Sequence, residues 1–213
     1  MSSKVRTDFR EYRRSEAPED WESQFQTVES EVIRSSNVPV DRNRLSVWLP
    51  DGATGFGGLR LSPLPASARI HALVRLQMRQ HTGGPNVMWL RASGDKTGVN
   101  GVVVLRLISD GFQEFFVRKY VGGVQGPPLA IAASSVPTMP MMMIMMRVEL
   151  TAAGIVRWKA WPAGYTTEEP EAWDAEADVE ASGSPLPSTG YFALAAQAAR
   201  RDVMVDAVSL AWD

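Results

Sequence analysis

The feature that most restricts what this chain can fold into is an alternation. Between Ala68 and Arg79, the residues Ile70, Ala72, Val74, Leu76 and Met78 alternate with His71, Leu73, Arg75, Gln77 and Arg79. Successive side chains of a strand point to opposite faces, so a period of two predicts a strand with one buried face, where a helix would want a spacing of three or four. Similar segments recur between Gly and Pro breaks along the whole chain. Val102 to Ile108 is strongly β-branched, and Asp110-Gly111 separates it from Phe112 to Tyr120, the strongest short-range hairpin signal in the sequence. Thr27 to Ile33, Leu45 to Leu49, Asn86 to Ala92, Leu129 to Ala133, Met141 to Leu150, Ile155 to Trp161, Tyr191 to Ala196 and Val203 to Trp212 read as further strands. With no long amphipathic helix among them, the pattern predicts an all-β sandwich.

A chain of 213 residues accommodates one large sandwich, and no linker or repeat divides it. Residues 27–213 are expected to form that single domain. Residues 1–26 mix Phe9, Tyr12, Trp21 and Phe25 with charges at no sustained period, and read as an N-terminal arm that docks on a partner. Phe9, Tyr12 and Trp21 are its interface candidates. The net charge of -2 and pI near 5.8 provide no basic stripe for phosphates, which speaks against nucleic acid and anionic membrane surfaces as partners. The polar start Met1 to Asp8 lacks the apolar core of a secretory signal. The apolar runs Val102 to Ile108 and Met139 to Met146 fall far short of the roughly 20 residues of a membrane-spanning helix. Without cysteine, neither disulfides nor thiolate metal sites can form.

Several elements recur here in a fixed order: Asp8-Phe9, Tyr12, Pro18 with Asp20-Trp21, Arg91-Ala92-Ser93-Gly94, and Arg147-Val148-Glu149-Leu150. Gly154, Val156, Lys159, Trp161, Gly164, Glu169-Pro170, Trp173 and Asp178 follow, then Gly190, Tyr191 and Asp206. In this order the chain resembles the concanavalin A-like (laminin-G-like) jelly-roll modules of tailed-bacteriophage virion and tail proteins. The resemblance implies a sandwich of two antiparallel sheets and a role in a particle. It departs from those modules at Met139 to Met146, where they carry an aromatic-led strand. Trp161 on a late strand and Trp173 on the loop Pro162 to Pro187 are predicted to pin that loop by packing.

The methionine run leaves both strand faces apolar, with Met141, Met143 and Met145 on one and Met142, Ile144 and Met146 on the other. Either a loop of the same chain or a neighbouring subunit covers the outer one, so Met141, Met143 and Met145 are also interface candidates. Trp48, Trp89, Tyr120 and Tyr165 are candidates for stacking on sugar rings, against the alternative of core packing. Glu176-Ala177-Asp178-Val179-Glu180 has the spacing by which one family of jelly-roll glycosidases aligns its carboxylates, but its flanks are those of a solvated loop. His71 and His81 lack neighbouring ligands for a metal. Calcium held by the carboxylates of Asp174 to Asp178 is compatible with the composition, although no calcium-loop spacing is present, and no other cofactor is implied. The chain is therefore expected to be non-enzymatic: a structural or adhesive component of a bacteriophage-like particle, on its surface or tail. Its partners would be itself, other virion proteins and host glycans, with no nucleic acid and no membrane insertion. The alternative is a bacterial carbohydrate-binding or glycan-hydrolysing protein of the same fold.

Overall fold

The computed structural model describes residues 3–8, 21–26, 31–35, 44–48, 56–64, 69–77, 86–94, 98–109, 112–133, 136, 142–164, 166–181, 183, 190–197 and 203–212. Among these residues every regular element is a strand. In chain order they are β1 (Ser3–Asp8), β2 (Trp21–Gln26), β3 (Glu31–Ser35), β4 (Arg44–Trp48), β5 (Phe56–Leu64), β6 (Ile70–Gln77), β7 (Asn86–Ser93) and β8 (Asn100–Ser109). Then come β9 (Phe112–Val121), β10 (Val124–Ala133), β11 (Met143–Leu150), β12 (Ile155–Pro162), β13 (Ala175–Asp178), β14 (Gly190–Gln197) and β15 (Val203–Trp212).

They form two antiparallel sheets. One is ordered β13-β12-β11-β6-β15-β4-β3 with β1 beside β15, and the other β10-β9-β8-β7-β14-β5-β2. The chain is thus an all-β jelly-roll sandwich of two antiparallel sheets. The alternation in β6 works as the sequence requires: Ile70, Ala72, Val74 and Leu76 are buried. Ile144, Met146, Val148 and Leu150 of β11, with Val156, Trp158 and Ala160 of β12, complete the inner face of the first sheet. Met88, Leu90, Val102, Val104, Phe115, Val117, Phe192 and Leu194 meet them from the second. Burying a large aromatic stabilises by a few kcal/mol, and Trp158 and Phe115, both 0% exposed, anchor this layer.

Local turns follow their sequence signals. Ser109 pairs with Phe112, leaving Asp110-Gly111 to join β8 to β9. Between β11 and β12, Gly154 has a φ of 80°, which suits a glycine, and the Thr151 hydroxyl accepts the Ile155 N–H at 3.0 Å. At the flank where β10 and β13 end their sheets, Lys119 reaches across the sandwich. Its ammonium donates to the Val179 carbonyl at 3.0 Å.

Within residues 1–26, expected as an arm, the two described segments are strands of the sandwich. β1 pairs with β15 from Ser3↔Trp212 to Asp8↔Ala207, and β2 pairs with β5 at Trp21↔Leu61 and Phe25↔Gly58. The partner strands lie far along the chain, so local periodicity carries no trace of the pairing. Pro162 to Pro187, expected as a loop, contains the edge strand β13, which pairs with β12 from Ile155↔Asp178 to Trp158↔Ala175.

Replacing Trp158 by Ala should lower the unfolding free energy by about 3–5 kcal/mol, the usual penalty for an emptied aromatic core site. Urea denaturation checks this, and a loss under 1 kcal/mol would show that the layer does not depend on it.

Candidate functional site

With a common inner layer consumed by folding, function is left to the two outer faces. On the first sheet, β12 turns Arg157, Lys159 and Trp161 outward, opposite Glu149, Arg147 and Met145 of β11. The segment after β12 folds back over them. Glu169 receives a two-pronged contact from Arg147, Nε to Oε1 and Nη2 to Oε2 at 2.6 Å each, and Lys159 Nζ lies 2.7 Å from Oε1. Lys159 also donates to the Pro170 carbonyl at 2.5 Å. The Trp173 ring lies under both the Arg157 guanidinium, 4.5 Å from its centroid, and the Lys159 ammonium, 4.8 Å away. Asp174 completes the return, accepting the Ala160 N–H at 2.9 Å while its own N–H donates to the Trp158 carbonyl. Farther along, the buried Glu149 carboxylate pairs with Arg157 and with His71 Nδ1 at 3.2 Å.

Burial pushes the Glu169 carboxyl up, but the hydrogen bonds and charges of Arg147 and Lys159 outweigh it and leave it below the ordinary glutamate value. For Asp174, burial wins over the Ala160 N–H and the Lys159 charge, and its carboxyl is raised. Trp161 is buried beneath this clamp. Trp173 fixes the segment through cation–π contacts rather than by packing on Trp161, and this outer face is largely spent on intramolecular contacts.

The acidic segment is similarly occupied. Glu176 stands opposite Arg157 in register, while Asp178 Oδ1 accepts the N–H groups of Glu180 and Ala181 at 2.9 and 3.0 Å. The Glu180 side chain packs against Gly154, where an added Cβ would meet its Cγ at 2.3 Å. Among the described residues no three acidic or histidine side chains gather as metal ligands, and Asp174 and Asp178 direct oxygens to backbone N–H groups instead of to a shared point.

The outer face of the second sheet is of another kind. Trp89, Val103, Tyr120, Tyr191 and Ala193 form a second apolar cluster with Ala92 and Val99. The Trp89 and Tyr120 rings lie 4.9 Å apart at an interplanar angle of 52°. Burial raises the Tyr120 phenol to about 12, against the pull of the Arg118 charge, so its O–H stays protonated. Toward the β9–β10 hairpin the cluster opens. The half-buried Arg118 sits over the Phe116 ring at 5.7 Å and donates through Nη1 to the Gly126 carbonyl at 3.3 Å. In the amide orientation that satisfies its neighbours, Gln125 donates to Tyr120 Oη at 2.9 Å. It accepts from Arg118 Nη1 at 2.5 Å and Nε at 3.1 Å. Arg118 has no carboxylate partner among the described residues. Beside it stand exposed apolar groups: Pro128 opposite Arg118 and Ile131 opposite Phe116.

Two of the four stacking candidates, Trp89 and Tyr120, therefore come together, but as a buried pair at 0% and 4% exposure. They support the face from below and offer no ring to solvent, a correction that follows from the second apolar cluster packing around both. Trp48 is in β4 and Trp21 in β2, with side chains outside what the structure describes. Tyr165, Phe9, Tyr12 and Met141 lie outside the described residues, as does His81. Met143 and Met145 are half-buried on the outer face of β11, and Ile144 and Met146 are in the core. Sequence reasoning missed Phe116, Arg118 and Gln125. The signal was the alternation of aromatic and basic residues from Phe115 to Tyr120, which places Phe116, Arg118 and Tyr120 on one face.

No family model matches the chain, and no curated protein does. Solved structures do. The exoplasmic/lumenal domain of VIP36, in a form bound to Ca2+ and Man2, matches over 95% of this chain and 85% of its own at 13% identity and a TM-score of 0.59. Lectin II from Ulex europaeus matches over 98% of both chains at 8% identity and a TM-score of 0.66. A xylan β-1,4-xylosidase from Bacillus halodurans matches over 92% of this chain but 39% of its own, at 10% identity and a TM-score of 0.52. At such identities the likeness is one of fold. The chain has the concanavalin A-like, legume-lectin-like jelly roll, the architecture that its tryptophans and their order had implied.

The clamp predicts a signed pH effect. A depressed carboxyl contributes stability that is present above its unfolded value and lost as pH falls through its folded one. Glu169→Gln should therefore destabilise the native protein at neutral pH, by no more than about 1–2 kcal/mol for a partly exposed group. The difference from wild type should shrink once the pH drops below the ordinary glutamate value of about 4.3. Denaturation at a series of pH values reads it, and a difference independent of pH would remove Glu169 from the clamp.

Proposed function

We propose that this protein is a non-catalytic glycan-binding module serving as an adhesive component of a bacteriophage-like particle. The observation that carries the glycan reading is the outer face of the second sheet at the β9–β10 hairpin. There, a rigid aromatic support opens onto half-buried Phe116, exposed Pro128 and Ile131, and the polar groups of Arg118 and Gln125. Sugar sites combine apolar surface for C–H faces with a few oriented polar groups, and this patch has both. Support also comes from the fold neighbours, a lectin and a domain solved with Man2 bound.

The non-catalytic part of the reading is supported by the employment of the acidic side chains. Glycoside hydrolysis requires two carboxyl groups facing one bond with their pKa values driven apart. Here Asp178 caps a turn and Glu149 and Glu169 are ion-paired. The particle setting rests on the ordered sequence elements from Asp8-Phe9 to Asp206. It places the protein on a virion surface or tail, among copies of itself, other virion proteins and host glycans. A bacterial carbohydrate-binding protein of the same fold would share the glycan site, and the fold neighbours favour that reading about equally.

Purified protein on a glycan array should retain a restricted set of glycans, with a chelator arm to read any part played by calcium. Retention of none would overturn the glycan reading. Mass spectrometry of purified particles from the source should find the chain among structural proteins. Its absence there would leave a binding module without the particle role.

A further inference from the structure

We propose that Arg118 forms an anion subsite at the β9–β10 hairpin, selecting glycans whose sugar rings carry an oxyanion, a carboxylate in the first instance. The inference rests on the glycan reading above and specifies its ligand class. An arginine presents its donors in a planar fork that matches a carboxylate or sulfate two atoms at a time. In this chain the other described guanidiniums on the outer faces of the sandwich near a carboxylate are engaged by it: Arg147 by Glu169, and Arg157 by Glu149. Arg118 instead has neutral partners, Gly126 through Nη1 and Gln125 through Nη1 and Nε. Its Nη2 has no acceptor among the described residues.

The surroundings hold the group in place. Gln125 is itself held by the Tyr120 hydroxyl, and Tyr120 is locked against Trp89. Phe116 supports the guanidinium, and Pro128 flanks it on the edge strand. A half-buried cation is screened less than one in open solvent, so an incoming oxyanion gains more from it. The rim supplies an apolar contact for a sugar: Ile131, opposite Phe116, is 56% exposed. Pro127 and Pro128 make the edge poor at pairing with another strand, because proline has no N–H to donate. The patch is thereby left to a ligand that is not a β-strand.

The test compares acidic glycans with neutral parents of the same backbone. Polygalacturonate and hyaluronate are measured against their carboxyl-reduced forms, and dextran sulfate against dextran, alongside an array that holds sialylated, uronic-acid, sulfated and neutral glycans. Native protein should prefer at least one acidic member by tenfold or more over its neutral parent, with affinity falling as salt rises. Arg118→Gln should erase that preference, so that each acidic member binds no more tightly than its neutral parent. Arg118→Lys keeps the charge without the fork and should fall between the two, which carries the test if the glutamine variant melts early. A preference confined to the sulfated arm and lost in Arg118→Gln would assign the oxyanion to sulfate. Equal binding of acidic and neutral partners, or a preference that survives Arg118→Gln, overturns the subsite while the glycan reading stands. Retention of no glycan at all overturns both.

Discussion

Two sheets sharing one apolar layer is the constraint on which the rest of this molecule depends. Each strand of β6, β11, β12, β7, β8, β9 and β14 gives one set of alternate side chains to that layer, and the layer closes around Trp158, Phe115 and Phe192. Alternation then dictates what is left, because a strand that commits Ile144 and Met146 inward must present Met143 and Met145 outward. The outer faces inherit whatever the second phase of each strand contains. In the first sheet that phase is charged, and in the second it is aromatic.

The two faces resolve this inheritance differently. Arg147, Arg157 and Lys159 on the first sheet are neutralised by a segment of the same chain carrying Glu169 and Trp173, so the charges that β11 and β12 expose are used to hold a loop. Desolvating Lys159 is tolerable because it finds a carboxylate, a carbonyl and a ring at once. On the second sheet the cluster around Trp89 and Tyr120 makes a rigid platform, and its charge, Arg118, faces outward with Nη2 unused among the described residues. A binding surface needs support that does not rearrange and groups that are not already satisfied. Only the second face, among the described residues, offers the two together.

How much of this was legible in the sequence depends on the range of the interaction. β6, β12 and the hairpin at Asp110-Gly111 were readable because period and turn chemistry are local. The union of β1 with β15, and of β2 with β5, was not, since each joins segments remote in sequence and each strand is short. Trp89 illustrates a subtler loss. It sits out of phase with Met88 and Leu90, which reads as exposure, yet it is fully buried. The clue lay one strand away: Val102-Val103-Val104 is apolar in both phases, the mark of a strand covered on both faces. Arg118 was hidden for a related reason, because a lone arginine among aromatics has no meaning until register shows that Gln125 and not a carboxylate stands beside it.

The acidic segment shows why spacing alone is weak evidence for chemistry. Glu176, Asp178 and Glu180 alternate as catalytic carboxylates on a strand would, and the structure does make a strand of Ala175–Asp178. What it withholds is a shared target. β13 is an edge, its Ala177 and the following Val179 seal the core, and Asp178 turns its oxygen back to the N–H groups that follow it. The same alternation that aligns carboxylates in an enzyme here keeps acid on the solvent side of a strand whose other side must be apolar. The period is thus explained by burial, and nothing about it requires a substrate.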